Sequence, residues 1–140
     1  MLNLRGRFEM GAGSIISWYS VVHCGESVTF GSLVGLAERV TVADSTHYFT
    51  EPDVFFYENT RHAPVVIGHN TWLAPGATVT AGARIGQHCI IGANAVVGGT
   101  VADGHVVTSG KPAARKLQLP WEKAVIAVQN GSDAESVAVS

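Results

Sequence analysis

From Leu4 the chain places an apolar residue at every sixth position: Leu4, Met10, Ile16, Val22, Val28, Val34 and Val40. The step resumes at Ile67 and runs through Leu73, Val79, Ile85, Ile91 and Val97. Glycine keeps the same time. It follows the aliphatic residue at Gly11, Gly35, Gly68, Gly86, Gly92 and Gly98, or sits three places on at Gly25, Gly31, Gly76 and Gly82. A period of six matches neither the 3.6 of a helix nor the 2 of a long strand. It matches a short strand followed by a tight corner, with the aliphatic side chain turned inward. Glycine serves the corner, where φ is positive or two backbones approach closely. The fourth position after each aliphatic residue is small (Thr71, Ala77, Ala83, Cys89, Ala95), as a narrow interior demands. Three such faces make one coil of roughly 18 residues, so the spacing predicts four or five coils of an all-β parallel β-helix.

Between Val40 and Ile67 the beat stops. The two are not separated by a whole number of hexads, so the segment cannot be continuous coil. It is expected to leave the prism and return as a loop over about 46–66, a length that is uncommon unless it serves function. The loop holds Tyr48, Phe49, Phe55, Phe56 and Tyr57, which are expected to bury against a neighbouring subunit. His47 stands at its base, where the last strand before the break ends. An imidazole there can take the proton of an attacking hydroxyl, which is un-ionised near neutral pH. Asp44 and Glu51 are the nearest acids in sequence. Asp44 is the candidate to hold the ring in one tautomer, a task that a backbone carbonyl would perform equally well. His62, near the far end of the loop, is assigned no catalytic role.

Composition narrows the classes. The chain has 140 residues, enough for one modest core, and a formal net charge of −2. No basic cluster marks a nucleic-acid surface. No apolar run approaches the ~20 residues of a membrane span. The N-terminal stretch lacks the apolar core of a secretory signal, so a cytoplasmic location is expected. Cys24 and Cys89 match neither a zinc spacing nor a CxxC pair and read as buried free thiols.

The text VVIGHNTWLAPGATVTAGARIGQHCIIGANAVVGGTVADGHVVTSGKPAARKL resembles the C-terminal half of hexapeptide-repeat acyltransferases. Those proteins carry an IG-x-x-x-W start, a PG-x-x-IG middle, an IGA-x-x-VV step and a final VV-x-G-x-PA. The resemblance runs over about Val22 to Leu117. With the break at Asp44-Ser45-Thr46-His47 and with Trp72, it points to the maltose/galactoside and polysaccharide O-acetyltransferase branch. It implies a left-handed parallel β-helix over 1–117 with one protruding loop, a C-terminal extension and mobile tail over 118–140, and a homotrimer. It implies acetyl-CoA as acyl donor, no metal, and a saccharide hydroxyl as acceptor. It implies that His47 is the general base, that Trp72 lines the pantetheine arm, and that Pro75, Ala93, Gly98 and Gly99 edge the same groove. Lys111, Arg115 and Lys116 are expected to meet the coenzyme phosphates. The chain departs from the pattern in three places. Ser45 stands at the first histidine of the family's Asp-His-x-His. Gly98-Gly99 replaces Thr-Lys, and the basic residue after Lys111-Pro112-Ala113 is shifted by one to Arg115. Trp18, Tyr19 and His23 are expected in the acceptor pocket. The C-terminal segment 120–129 is expected to form a short helix or an extended piece over the open end of the prism.

Two other functions fit the repeat. A trimeric γ-class carbonic anhydrase needs three histidines on zinc. Ile67-Gly68-His69 matches the start of its motif, but the partner position is Ala74. A non-catalytic β-helix scaffold fits the hexads alone, and the histidine at the loop base is the feature that separates it from an enzyme.

Overall fold

A computed structural model describes residues 1–116, 125–130 and 133–138, with side chains for 1–110 apart from Phe56. The six-residue step closes into three faces wound in five coils. One face stacks Leu2–Leu4, Val21–Cys24, Thr41–Ala43, Thr78–Val79 and Val96–Val97. The next stacks Arg7–Met10, Ser27–Phe30, Val65–Ile67, Arg84–Ile85 and Thr100–Val101. The third stacks Ile15–Ile16, Gly35–Leu36, Trp72–Leu73, Ile90–Ile91 and His105–Thr108. Neighbouring coils pair in parallel throughout. Lys111–Lys116 then doubles back antiparallel on His105–Thr108 and ends the third face.

The core is the column of inward side chains. Each face contributes a pair from alternate positions, because alternate residues of a strand share a side. Before the break both are large: Val28 and Phe30, Val34 and Leu36, Val40 and Val42, all buried. After it the first is small and the second large: Thr71 and Leu73, Ala77 and Val79, Ala83 and Ile85, Cys89 and Ile91, Ala95 and Val97. Phe30 therefore lies beside Ile67, Leu36 beside Leu73 and Val42 beside Val79. The six-step series read from sequence follows the first member of each pair just before the break and the second member after it. Part of the apparent slip in phase is this exchange. Leu4 and Met10 stay 43% and 45% exposed, since among the described residues the first coil pairs with a neighbouring coil on one side only.

Coil length is not constant. Val22 pairs with Val42, Ile67 with Ile85, and Ile85 with Val101, so the step between vertical neighbours shortens along the chain. The expected three hexads hold for the coil after the break. The earlier coils are longer because Val21–Cys24 is a four-residue strand whose face carries an extra inward position. The last is shorter because the corner after Val97 is cut at Gly98-Gly99.

Corners use two devices. Asn70, Gly76, Gly82, His88 and Asn94, which recur with the hexad, all adopt positive φ. Glycine does so without cost, whereas a side chain there carries ~1 kcal/mol or more. At the corner that follows Val65–Ile67 the demand is different. An added Cβ on Gly68 would lie 2.5 Å from the backbone of Gly86 in the next coil. Corner polar groups left over by the strands are closed by small hydroxyls. Ser14 Oγ donates to Gly31 O and accepts from Val34 N, both at 3.0 Å. Thr71 Oγ1 donates to Gly86 O at 2.8 Å and accepts from Cys89 N at 3.1 Å.

The break is not an irregular loop. Ser45–His47 and Thr60–His62 form an antiparallel two-stranded hairpin, with a short 3-10 turn at Phe56–Glu58. Toward the C-terminus, Val125–Asn130 pairs antiparallel with Asp133–Ala138; residues 117–124 of the expected extension lie outside the described residues. No helix among the described residues is long and apolar enough to cross a membrane.

Gly68→Ala should lower the unfolding free energy by ~1–3 kcal/mol, because the methyl group meets backbone that cannot rotate away. Thermal and urea denaturation followed by circular dichroism will read this directly.

Candidate functional site

The site begins with how the chain leaves the prism. Asp44 is fully buried directly after Thr41–Ala43. Its Oδ1 accepts from Gly25 N at 2.8 Å, and its Oδ2 accepts from Glu26 N at 2.7 Å and Ser27 N at 2.8 Å. These three amides turn the same corner one coil earlier. In a continuous coil the backbone above would take up such groups. Here the backbone departs, and the carboxylate takes its place. Asp44 O accepts from Ala63 N at 2.8 Å, and Ala63 O accepts from Gly82 N at 3.0 Å. The prism is thus spliced from Asp44 to Ala63, and residues 45–62 stand outside it. Both oxygens of Asp44 accept from corner amides, so its carboxylate anchors the base of the hairpin.

Hairpin register selects what faces the prism. Ser45 lies opposite His62 and His47 opposite Thr60, while Thr46 lies opposite Arg61. Side chains on one side of an antiparallel pair alternate, so Ser45, His47, Thr60 and His62 share one side. Together with Tyr57 they form one wall of a cavity of about 320 Å³. Asn3, Arg5, His23 and Gly25 of the first two coils form the other. Arg61 points the opposite way and lies over the Tyr48 ring, 4.8 Å from its centroid.

Three imidazoles therefore line one cavity, with His62 added to the expected His47 and His23. The His47 ring stacks on Tyr57 at 4.7 Å with an interplanar angle of 26°, and its Nδ1 is 3.4 Å from Thr60 Oγ1. Asn3 Nδ2 lies 3.0 Å from His23 Nδ1. The His62 ring rests on Gly25, where any Cβ would overlap it. That explains a glycine at a corner whose φ does not require one. His62, Thr60 and Ser45 were legible only through the hairpin's period of two. Asn3 and Arg5 were legible only through the long first-coil register that sets Asn3 beside His23.

The other expected site residues fall on separate parts of the prism. Pro75 and Ala93 share one corner in successive coils, where Asn94 N donates to Pro75 O at 3.1 Å. Trp72, 48% exposed, lies on the adjoining face with its ring against Gly35. Gly98 and Gly99 lie on the next corner, the one from which the hairpin projects two coils earlier. The single chain does not bring these five residues to one point. The side chains of Lys111, Arg115 and Lys116 lie outside the described residues. Trp18 and Tyr19 do not join His23. They line a separate apolar hollow of about 580 Å³ with Met1, Leu2 and Ile15 at the end of the first coil. Phe49, Phe55 and Tyr57 are 75%, 62% and 63% exposed on the single chain.

Both cysteines are buried and unpaired with each other. Burial raises both thiol pKa values, and the charge of Asp44 adds to the effect at Cys24. Neither presents a thiolate. His69 meets His88 edge to face at 5.6 Å, and Ala74 is buried. No group of three or more His, Cys, Asp or Glu among the described residues is placed to hold a metal ion.

Residues 64–99 match the family model for the bacterial transferase hexapeptide (six repeats). No curated protein sequence matches the chain. Its fold is similar to that of a point variant of an N-acyltransferase from Bacillus cereus in complex with dTDP-4-amino-4,6-dideoxyglucose and coenzyme A. That pair has a TM-score of 0.70 at 17% identity, over 83% of this chain and 66% of the other. It is similar to a maltose O-acetyltransferase from Clostridium difficile, with a TM-score of 0.69 at 21% identity, over 84% and 66% of the two chains. It is also similar to a hexapeptide-repeat acetyltransferase from Vibrio cholerae complexed with acetyl coenzyme A, with a TM-score of 0.69 at 20% identity, over 83% and 70%. The chain spans just under two thirds of the length of the first two. The likeness establishes the fold, a parallel β-helix of hexapeptide repeats.

Two outcomes test this geometry. Asp44→Ala leaves three corner amides without their acceptor and should cost ~3 kcal/mol or more in urea denaturation. The raised thiol pKa values set a direction with pH. The folded chain keeps these protons where the unfolded chain has lost them, so their contribution is present below the unfolded thiol pKa of ~8.5 and is lost as pH rises through and above it. Stability should therefore fall more steeply above about pH 9 in the native chain than in a Cys24→Ala/Cys89→Ala variant, in parallel denaturation series.

Proposed function

We propose that the chain is an acetyl-CoA-dependent acyltransferase that acetylates a hydroxyl of a saccharide, with His47 as general base. The observation that carries this reading is the convergence of His47 with Thr60, Ser45 and two further imidazoles in one polar cavity at a corner of a hexapeptide-repeat prism. The named activities of the similar structures support the donor and the reaction class.

The chemistry follows from the ring's setting. Tyr57 fixes the plane of the imidazole, and Thr60 engages Nδ1, so the acceptor proton is taken at Nε2. The acceptor oxygen attacks the thioester carbonyl. The C–S bond breaks, and the coenzyme A sulfur leaves with the proton that His47 had received. No covalent enzyme intermediate is needed, in keeping with two buried, protonated cysteines. Thr60 takes the positioning role first expected of Asp44.

The donor is placed along the prism edges marked by Trp72, Pro75, Ala93, Gly98 and Gly99, with Lys111, Arg115 and Lys116 toward its phosphates. On one chain Pro75 and Ala93 share one corner, Gly98 and Gly99 the next, and Trp72 the adjoining face. A homotrimer, in which the corner of one prism faces that of the next, would assemble them into grooves and would also cover the exposed Phe49 and Phe55. Backbone amides lining such a groove would stabilise the oxyanion.

His47→Ala should reduce acetyl-CoA consumption in the presence of acceptor by ~10²–10⁴-fold while the circular dichroism spectrum and thermal midpoint stay those of the parent. Undiminished turnover in a folded variant would reject His47 as the base.

A further inference from the structure

The cavity beneath the hairpin has a charge bias that transfer to a neutral alcohol does not require. Among the described residues its ionisable lining is Arg5, His23, His47, His62 and the phenol of Tyr57, without one carboxylate. Composition does not explain this, since the chain has 11 acidic residues against 9 lysines and arginines. The acids on the elements packed around the cavity are turned elsewhere. Asp44 is buried, with both oxygens on corner amides. Glu26 and Glu58 are exposed and do not line it.

Arg5 gives the bias its direction. Arg7 pairs with Glu9, and Arg61 lies over Tyr48. Arg5 has no carboxylate within ion-pair distance among the described residues. Its backbone is fixed, because Arg5 N donates to Cys24 O at 2.8 Å at the end of a paired strand. A guanidinium in a concave site presents a planar fork of donors that matches carboxylate and phosphate oxygens. Beside it, an amide Nδ2 can only donate, so the contact from Asn3 makes His23 Nδ1 the acceptor and leaves the proton of the neutral ring on Nε2 as a further donor.

We propose that the acceptor carries an anionic group, a phosphate or a carboxylate, held by Arg5 on the prism wall of the cavity, with its reacting hydroxyl toward His47 on the hairpin wall. A volume of about 320 Å³ lies at the small end of the ~300–1,000 Å³ range of small-molecule sites, so the fitting class is a charged monosaccharide. The inference rests on the acyltransferase reading for the reaction, but not for the anion.

Binding is measured first, by isothermal titration without acyl donor. The probes are glucose, galactose and N-acetylglucosamine, each as the neutral sugar and the 6-phosphate, with glucuronate and galacturonate as the carboxylate arm. At least one anionic member should bind ~10-fold or more tightly than its neutral parent. The arm in which it falls identifies phosphate or carboxylate. Arg5→Gln should remove that advantage while leaving the neutral parent unchanged, and Arg5→Lys should restore much of it for the phosphate. Among the described residues the side chain of Arg5 makes no hydrogen bond or ion pair that supports the fold, so neither variant tests folding. If no anionic sugar binds better than its parent, or if Arg5→Gln leaves the preference intact, the proposal is overturned. Acetyl-CoA is then added to the preferred sugar. Binding without release of coenzyme A would reject acyl transfer and leave the anion site standing, so the two failures are distinguishable.

Discussion

Each coil of this prism directs its backbone N–H and C=O groups to the coils directly above and below it, and the rest of the structure depends on that stacking. Along the faces the strands pair without help. At the corners the chain must turn within a few residues and still leave no buried amide or carbonyl unmet. That demand accounts for the positive-φ residues that recur with the hexad from Asn70 to Asn94. It accounts for the close approach of Gly68 to Gly86, and for the hydroxyls of Ser14 and Thr71 that bridge one coil to the next. The apolar column inside supplies the driving force, but corner pairing determines where a side chain other than glycine or a small polar residue is admitted.

The same constraint explains the form of the candidate site. A solenoid that lets its chain out must partner the amides it abandons. Asp44 does this with one carboxylate and three hydrogen bonds, and the splice to Ala63 lets Gly82 continue the stack. The excursion is therefore anchored at both ends in the hydrogen-bonded wall of the prism. It then forms its own antiparallel ladder, which fixes four side chains toward one cavity. A histidine mounted this way has a defined plane and a defined partner, which a general base requires and a loose loop does not provide.

Coil length carries information that the hexad count hides. The step between vertical neighbours shortens from the Val22/Val42 pair to Ile67/Ile85 and again to Ile85/Val101, so stacked residues are not a fixed number apart in sequence. The N-terminal coils are the long ones, and that length places Asn3 beside His23 and Arg5 beside the hairpin. The lining of the cavity, and with it the charge bias assigned to Arg5, follows from the extra inward position that these coils carry on one face.

The sequence by itself determined the repeat, the inward register of aliphatic and small residues, the place where the coil opens, and His47 at that place. It could do so because each depends on neighbours within a few residues, where a period of six leaves a visible trace. It also showed two buried, unreactive cysteines. Only the tertiary structure decided that Asp44 holds a corner, because its partners lie a full coil earlier in the chain. It alone brought His62, Asn3 and Arg5 to His47 and His23, and separated Trp18 and Tyr19 from them. Those juxtapositions depend on coil length and on hairpin register, and neither quantity is carried by the identity of any single residue.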